Sequence, residues 1–98
     1  MKLEFHPEAQ QEFLEALSHY EAEVAGLGER FDAEVRRGVT LLREYPEIGA
    51  RLGHELRKLV LDRFPYYLIY ALSGETVYVV AVAHEKRKPG FWLERIDR

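Results

Sequence analysis

From Ala9 the apolar residues fall at Ala9, Phe13, Ala16, Leu17, Tyr20 and Val24. Steps of three and four put them on one stripe of a 3.6-residue helix. His6-Pro7 lies just before this stripe, and proline suits a first helical turn while restricting the residue ahead of it. A helix is therefore predicted from there to a frayed end near Ala25-Gly26, preceded by a short extended segment, Lys2 to Phe5. Gly26-Leu27-Gly28 breaks the pattern, and a second stripe follows at Leu27, Phe31, Val35, Val39, Leu42 and Tyr45. Tyr45-Pro46 ends it, and a polar connector runs to about His54. The period then changes. Leu56–Leu61, Tyr66–Ala71 and Thr76–Ala83 are short runs rich in β-branched and aromatic residues, bounded by Asp62 to Pro65 and by Ser73-Gly74, and they read as strands. The last run is nearly all apolar, as a central strand covered on both faces requires. Gly90 to Ile96 reads as a helical turn or docked tail.

The order β-α-α-β-β-β predicts a two-layer α+β domain, with the helical hairpin packed on one face of an antiparallel sheet. The opposite face is expected to be open and available to a partner. With 98 residues the chain is read as a single domain spanning 1–98 with one core, too small for separate cofactor and substrate lobes.

Charge adds an asymmetry. The net charge is -3, yet through Tyr45 five Lys and Arg stand against ten Asp and Glu, whereas from Pro46 onward nine stand against seven. An anionic partner is thus expected to approach the C-terminal half. There is no cysteine, which excludes disulfides, thiolate metal sites and cysteine nucleophiles and fits a reducing compartment. The cytoplasm is the expected location, since no signal-like or membrane-spanning apolar run is present. The four histidines lack metal-ligand spacing, so neither a metal nor another cofactor is expected.

Two basic groups are candidates for an anion site: Arg57, Lys58 and Arg63 around the first late strand, and Lys86, Arg87 and Lys88 after the last. Arginine offers phosphate a planar fork of donors and lysine a point charge. His84 follows the last strand directly, and imidazole is suited to proton transfer near neutral pH. Trp92 and the nearby tyrosines offer faces on which bases stack, although core packing is the commoner role for any one of them.

The ordered set His6-Pro7-Glu8-Ala9, Gly28-Glu29-Arg30-Phe31, Tyr45-Pro46 with Gly49, Leu56-Arg57-Lys58-Leu59-Val60, Arg63-Phe64-Pro65-Tyr66, and Ala81-Val82-Ala83-His84 with Arg87, Pro89 and Trp92 resembles the RelE/ParE toxin superfamily of bacterial type II toxin–antitoxin modules. Its ParE-like, plasmid-stabilisation branch is the nearest in pattern, and the resemblance covers essentially the whole chain. It implies a toxin neutralised by a cognate antitoxin, with ParE-like interference with DNA gyrase as the first expectation. The alternatives are a ribosome-dependent, metal-free messenger RNA endoribonuclease of RelE type, or an inactive homologue that only binds antitoxin. For the nuclease, Arg63 and Arg87 would stabilise the phosphorane and His84 would transfer a proton. Arg57, Lys58, Lys86, Lys88 and Trp92 would bind the target. Asp62 and Trp92 stand roughly where the nuclease branch carries an arginine and a tyrosine, and an indole cannot supply a phenol's proton.

Overall fold

A computed structural model describes residues 1–96. The elements are β1 (Lys2–Phe5), α1 (Pro7–Glu23), α2 (Leu27–Glu44), β2 (Ala50–Arg51), β3 (Leu56–Val60), β4 (Tyr66–Ser73) and β5 (Thr76–His84), followed by a 3₁₀ helix, Phe91–Arg95. The His6 imidazole caps α1: its Nδ1 accepts the Glu8 amide at 3.0 Å, and Pro7 opens the first turn. The helix N-terminus thereby loses one of its orphan donors. Glu21, near the end of α1, serves the other helix. Its carboxylate accepts the amides of Gly26 and Gly28, both at 2.9 Å, so an anion sits at the N-terminus of α2, where the helix dipole favours it. A Cβ on Gly28 would come within 2.9 Å of the Leu17 carbonyl, so the hairpin closes this tightly only with glycine there.

The two helices lie on one face of a five-stranded sheet ordered β1-β5-β4-β3-β2. The expected α+β class and helical hairpin hold, but the sheet is mixed. β1 pairs parallel with β5, from Lys2 opposite Thr76 to Phe5 opposite Val79, because the α1–α2 hairpin intervenes before the chain returns to the sheet. β2 is an additional strand inside the expected polar connector. At two residues it is too short to leave a periodic signature.

Between Ile69 and Tyr70 the β4–β5 register shifts, leaving Val80 unpaired on β5. This bulge changes the parity of β5. Val77, Val79 and Val82 reach the helix-side core, while Val80, Ala81 and Ala83 face the other way. Phe31 is the centre of the helix-side core, with the rings of Phe13, Tyr20, Phe64 and Tyr66 at centroid distances of 5.2 to 5.8 Å.

The second face departs from the open surface expected of it. The 3₁₀ helix folds back over β4 and β5, and Trp92 packs with Tyr67, Ile69, Val80 and Ala83 as a second apolar cluster. Among the described residues the β3 side of that face stays open, where Val60 is 60% exposed. The cause is visible in the composition of β5: an almost wholly apolar strand must be covered on both sides.

Glu34 ties α2 to the sheet. It is 5% exposed, with Oε1 accepting from Arg37 Nη2 at 2.7 Å and Oε2 from the Asp62 amide at 2.8 Å. Burial opposes its charge, but the Asp62 amide, the Arg37 guanidinium and the Arg63 amide outweigh that effect and hold the carboxyl below its ordinary value of 4.5. A depressed carboxyl stabilises the fold above its unfolded pKa, and this contribution is lost as pH falls through the folded value. We expect Glu34→Gln to be less stable than wild type at pH 7 by about 1–2 kcal/mol. Thermal melts across pH should show the two proteins converging below the ordinary carboxylate range, and a constant gap down to acid pH would contradict this.

Candidate functional site

Past Phe5, β1 no longer covers the edge of β5. Two side chains take its place. Glu12 Oε1 accepts the Val82 amide at 3.0 Å, and Arg95 Nη1 donates to the Val80 carbonyl at 2.9 Å. The same two residues join each other: Arg95 Nη2 lies 2.7 Å from Glu12 Oε2 and Nη1 lies 3.0 Å from Oε1. Arg87 Nη1 adds a third contact to Glu12 Oε2 at 2.9 Å. The side chains of Arg95 and Glu12 are only 7% and 12% exposed, so this is a largely desolvated hub joining α1, the β5 bulge and the C-terminal turn. The Glu12 carboxylate and burial act oppositely on Arg95, and the carboxylate prevails, raising its pKa.

The residues expected from the sequence divide around this hub. Arg57 is a structural tie, its Nη1 donating to the carbonyls of Glu47 and Gly49, each at 2.9 Å. Arg63 is exposed in the β3–β4 turn, and Lys86 and Lys88 are exposed after β5. Trp92 was expected on the binding surface. It is instead 6% exposed, edge-on to Tyr67 at 6.0 Å, because the tail folds inward over β5. His84 comes out of the bulge on the helix side, where its ring meets Tyr66 at 5.0 Å and its Nδ1 accepts the Lys86 amide at 3.0 Å. His84 and Arg87 line one cleft of about 240 Å³ with Glu12, Glu15, His19 and Tyr66; Arg63 is not part of it. Lys58 lies on the other face, its Nζ 4.3 Å from the centroid of the Tyr67 ring. Burial pushes the Tyr67 phenol up, and the positive charge of Arg87 pulls the other way.

A second cleft, of about 460 Å³, opens between the two helices beside β1. Its walls are Phe5, Phe13, Val35 and Val39, and its rim carries Gln10, Asp32, Arg36, Thr40 and Arg43. Arg36 is paired with Asp32 at 2.9 Å, while Arg43 Nε donates to the Met1 carbonyl at 3.1 Å. An apolar floor with a mixed, net cationic rim suits an amphipathic segment carrying acidic flanks. Sequence reading named none of these residues as a site, because Phe13, Val35 and Val39 also belong to core stripes and Phe5 to the N-terminal strand.

The model of the ParE toxin of type II toxin–antitoxin systems, parDE, matches residues 3–89. The chain belongs to this ParE family. Among solved structures, a chain of the chromosomal ParDE toxin–antitoxin system from P. aeruginosa matches with a TM-score of 0.70 and 19% identity, over 86% of this chain and 95% of that one. At that identity the likeness is one of fold. Among curated proteins none matches. As a ParE-type toxin the chain has an antitoxin for a partner. Among the described residues no helix is long and apolar enough to cross a membrane, and no group of three or more His, Asp and Glu is placed to hold a metal ion.

Proposed function

We propose that this ParE-type toxin arrests growth by interfering with DNA gyrase, and that its antitoxin silences it by laying an amphipathic segment into the cleft between α1, α2 and β1. The observation that carries the antitoxin half is that cleft's apolar floor and cationic rim beside an edge strand. The free edge of β1 also allows strand addition next to the groove. For the target, the arrangement of the basic residues favours gyrase over RNA chemistry. Arg87 is engaged by Glu12, Trp92 is in the core, and His84 and Lys58 lie on opposite faces of the sheet. A general acid–base mechanism needs its groups within hydrogen-bond reach of one reacting centre.

The ribonuclease alternative has one observation in its favour, the cleft shared by His84 and Arg87. Two assays separate the readings. Purified toxin should inhibit gyrase supercoiling in vitro, and co-incubation with the protein of the adjacent short open reading frame should restore it. Cellular messages mapped by primer extension after induction should show no new cuts. Codon-phased cleavage with unimpaired supercoiling would reverse the assignment, and normal growth on verified soluble expression would leave only an antitoxin-binding homologue.

A further inference from the structure

The part of the second sheet face that the 3₁₀ helix leaves open is chemically distinct from the apolar cleft. Lys58 on β3 stands over the Tyr67 ring on β4. Tyr67 is nearly buried, yet its hydroxyl has no hydrogen-bond partner among the described residues and is not enclosed, so it opens to solvent beside the Lys58 ammonium. Beyond it, the turn after β5 carries Lys86 and Lys88, both exposed and without ion-pair partners among the described residues. The turn is held against the β3–β4 loop by the Glu85 amide, which donates to the Pro65 carbonyl at 2.9 Å. From β3 across β4 to β5 is two strand spacings, about 10 Å. That distance is wide enough to meet more than one phosphate of a duplex strand.

We infer that Lys58, the Tyr67 hydroxyl, Lys86 and Lys88 form a phosphodiester-contacting shelf that takes the backbone of duplex DNA. The inference rests on the gyrase reading, since gyrase holds duplex DNA as its substrate and a phosphate-binding face would let the toxin engage that bound duplex. Ammonium and phenol donors recognise phosphate oxygens and leave base edges unread. The acidic N-terminal half, with ten Asp and Glu against five Lys and Arg through Tyr45, repels a polyanion and orients it toward this face.

The test is fluorescence anisotropy of the full-length toxin with a short labelled DNA duplex, titrated at low and at physiological ionic strength. Wild type should bind saturably, and more weakly as salt rises. Lys58→Gln and Tyr67→Phe should each weaken binding about three- to fivefold, as loss of one exposed contact does, and Lys58→Gln should lower the salt slope by about one. Lys86→Gln with Lys88→Gln, in an exposed loop with no part in the core, should weaken it further, whereas Arg30→Gln, exposed on α2, should not. Absence of saturable binding at low salt, or equal affinity of all variants, would overturn the site. Preference for single-stranded RNA accompanied by its cleavage would overturn both the site and the gyrase reading. If supercoiling is inhibited without DNA binding, only the shelf fails; if DNA is bound through these residues while gyrase is unaffected, only the gyrase reading fails.

Discussion

Glu12→Ala is expected to destabilise the toxin by about 3–5 kcal/mol, because it strands the desolvated guanidinium of Arg95 without its counter-charge and leaves the Val82 amide without its acceptor. Among the described residues Arg95 then keeps its bond to the Val80 carbonyl, a long contact of 3.5 Å to Glu8 and a place over the Phe91 ring, 5.1 Å from its centroid. The second apolar cluster should loosen with it, since the 3₁₀ helix is anchored there by Arg95. Chemical denaturation gives the loss in free energy, and hydrogen exchange should show early opening at residues 91–95. A double variant, Glu12→Gln with Arg95→Met, should recover a substantial part of the stability, because removing both charges costs less than removing one. A loss under about 1 kcal/mol for Glu12→Ala would mean that the pair is solvated and the hub unimportant.

The second large effect is expected at the α2–β2 turn. Tyr70 is fully buried, donating its hydroxyl proton to the Pro46 carbonyl at 2.8 Å and accepting the Gly49 amide at 2.9 Å. A Cβ on Gly49 would stand 2.7 Å from that hydroxyl and 2.9 Å from the Lys58 carbonyl. The first is the rigid end of a packed ring and the second is sheet backbone, so neither can retreat cheaply. Gly49→Ala should therefore cost about 3 kcal/mol. Tyr70→Phe, which leaves the carbonyl and amide unpaired without adding bulk, should cost about 2 kcal/mol. Thermal melts of both variants check the order; a neutral Gly49→Ala would show that the turn can shift away from Tyr70.

Both helices were legible because their apolar residues keep one period and their ends carry proline or paired glycines. The β4–β5 hairpin was legible for a similar local reason: its strands are joined by a two-residue turn. What escaped was non-local. The parallel β1–β5 pair joins residues more than seventy positions apart, and no local pattern encodes which strand accepts the N-terminal one. The continuous apolar run of β5 did signal cover on both faces, in tension with an open second face, and the structure follows β5. In the candidate sites, Glu12 and Glu34 stand among ten acidic residues of the N-terminal half and belong to no motif. A signal was present: Glu12 stands three residues after Ala9 and four before Ala16, and Glu34 three after Phe31 and four before Gly38, so each carboxylate lies inside an apolar stripe. Sequence could flag that anomaly but not its partners, since Arg95 and the Asp62 amide meet them only through tertiary packing. Trp92 carried the opposite ambiguity, because an aromatic in a tail can serve as a platform or as a plug.

The surplus Val80 in β5 has a consequence for sidedness. Every side chain after it is turned over relative to an uninterrupted strand of the same residues, so straightening the bulge with Val80 kept in the ladder would send His84 to the surface that carries Lys58 and turn Val82 away from α1, whereas deleting Val80 would restore plain alternation and leave both where they are. Any comparison of this strand with a straight one must open a gap of one at Val80, or each position from there to the turn will be assigned to the wrong side of the protein.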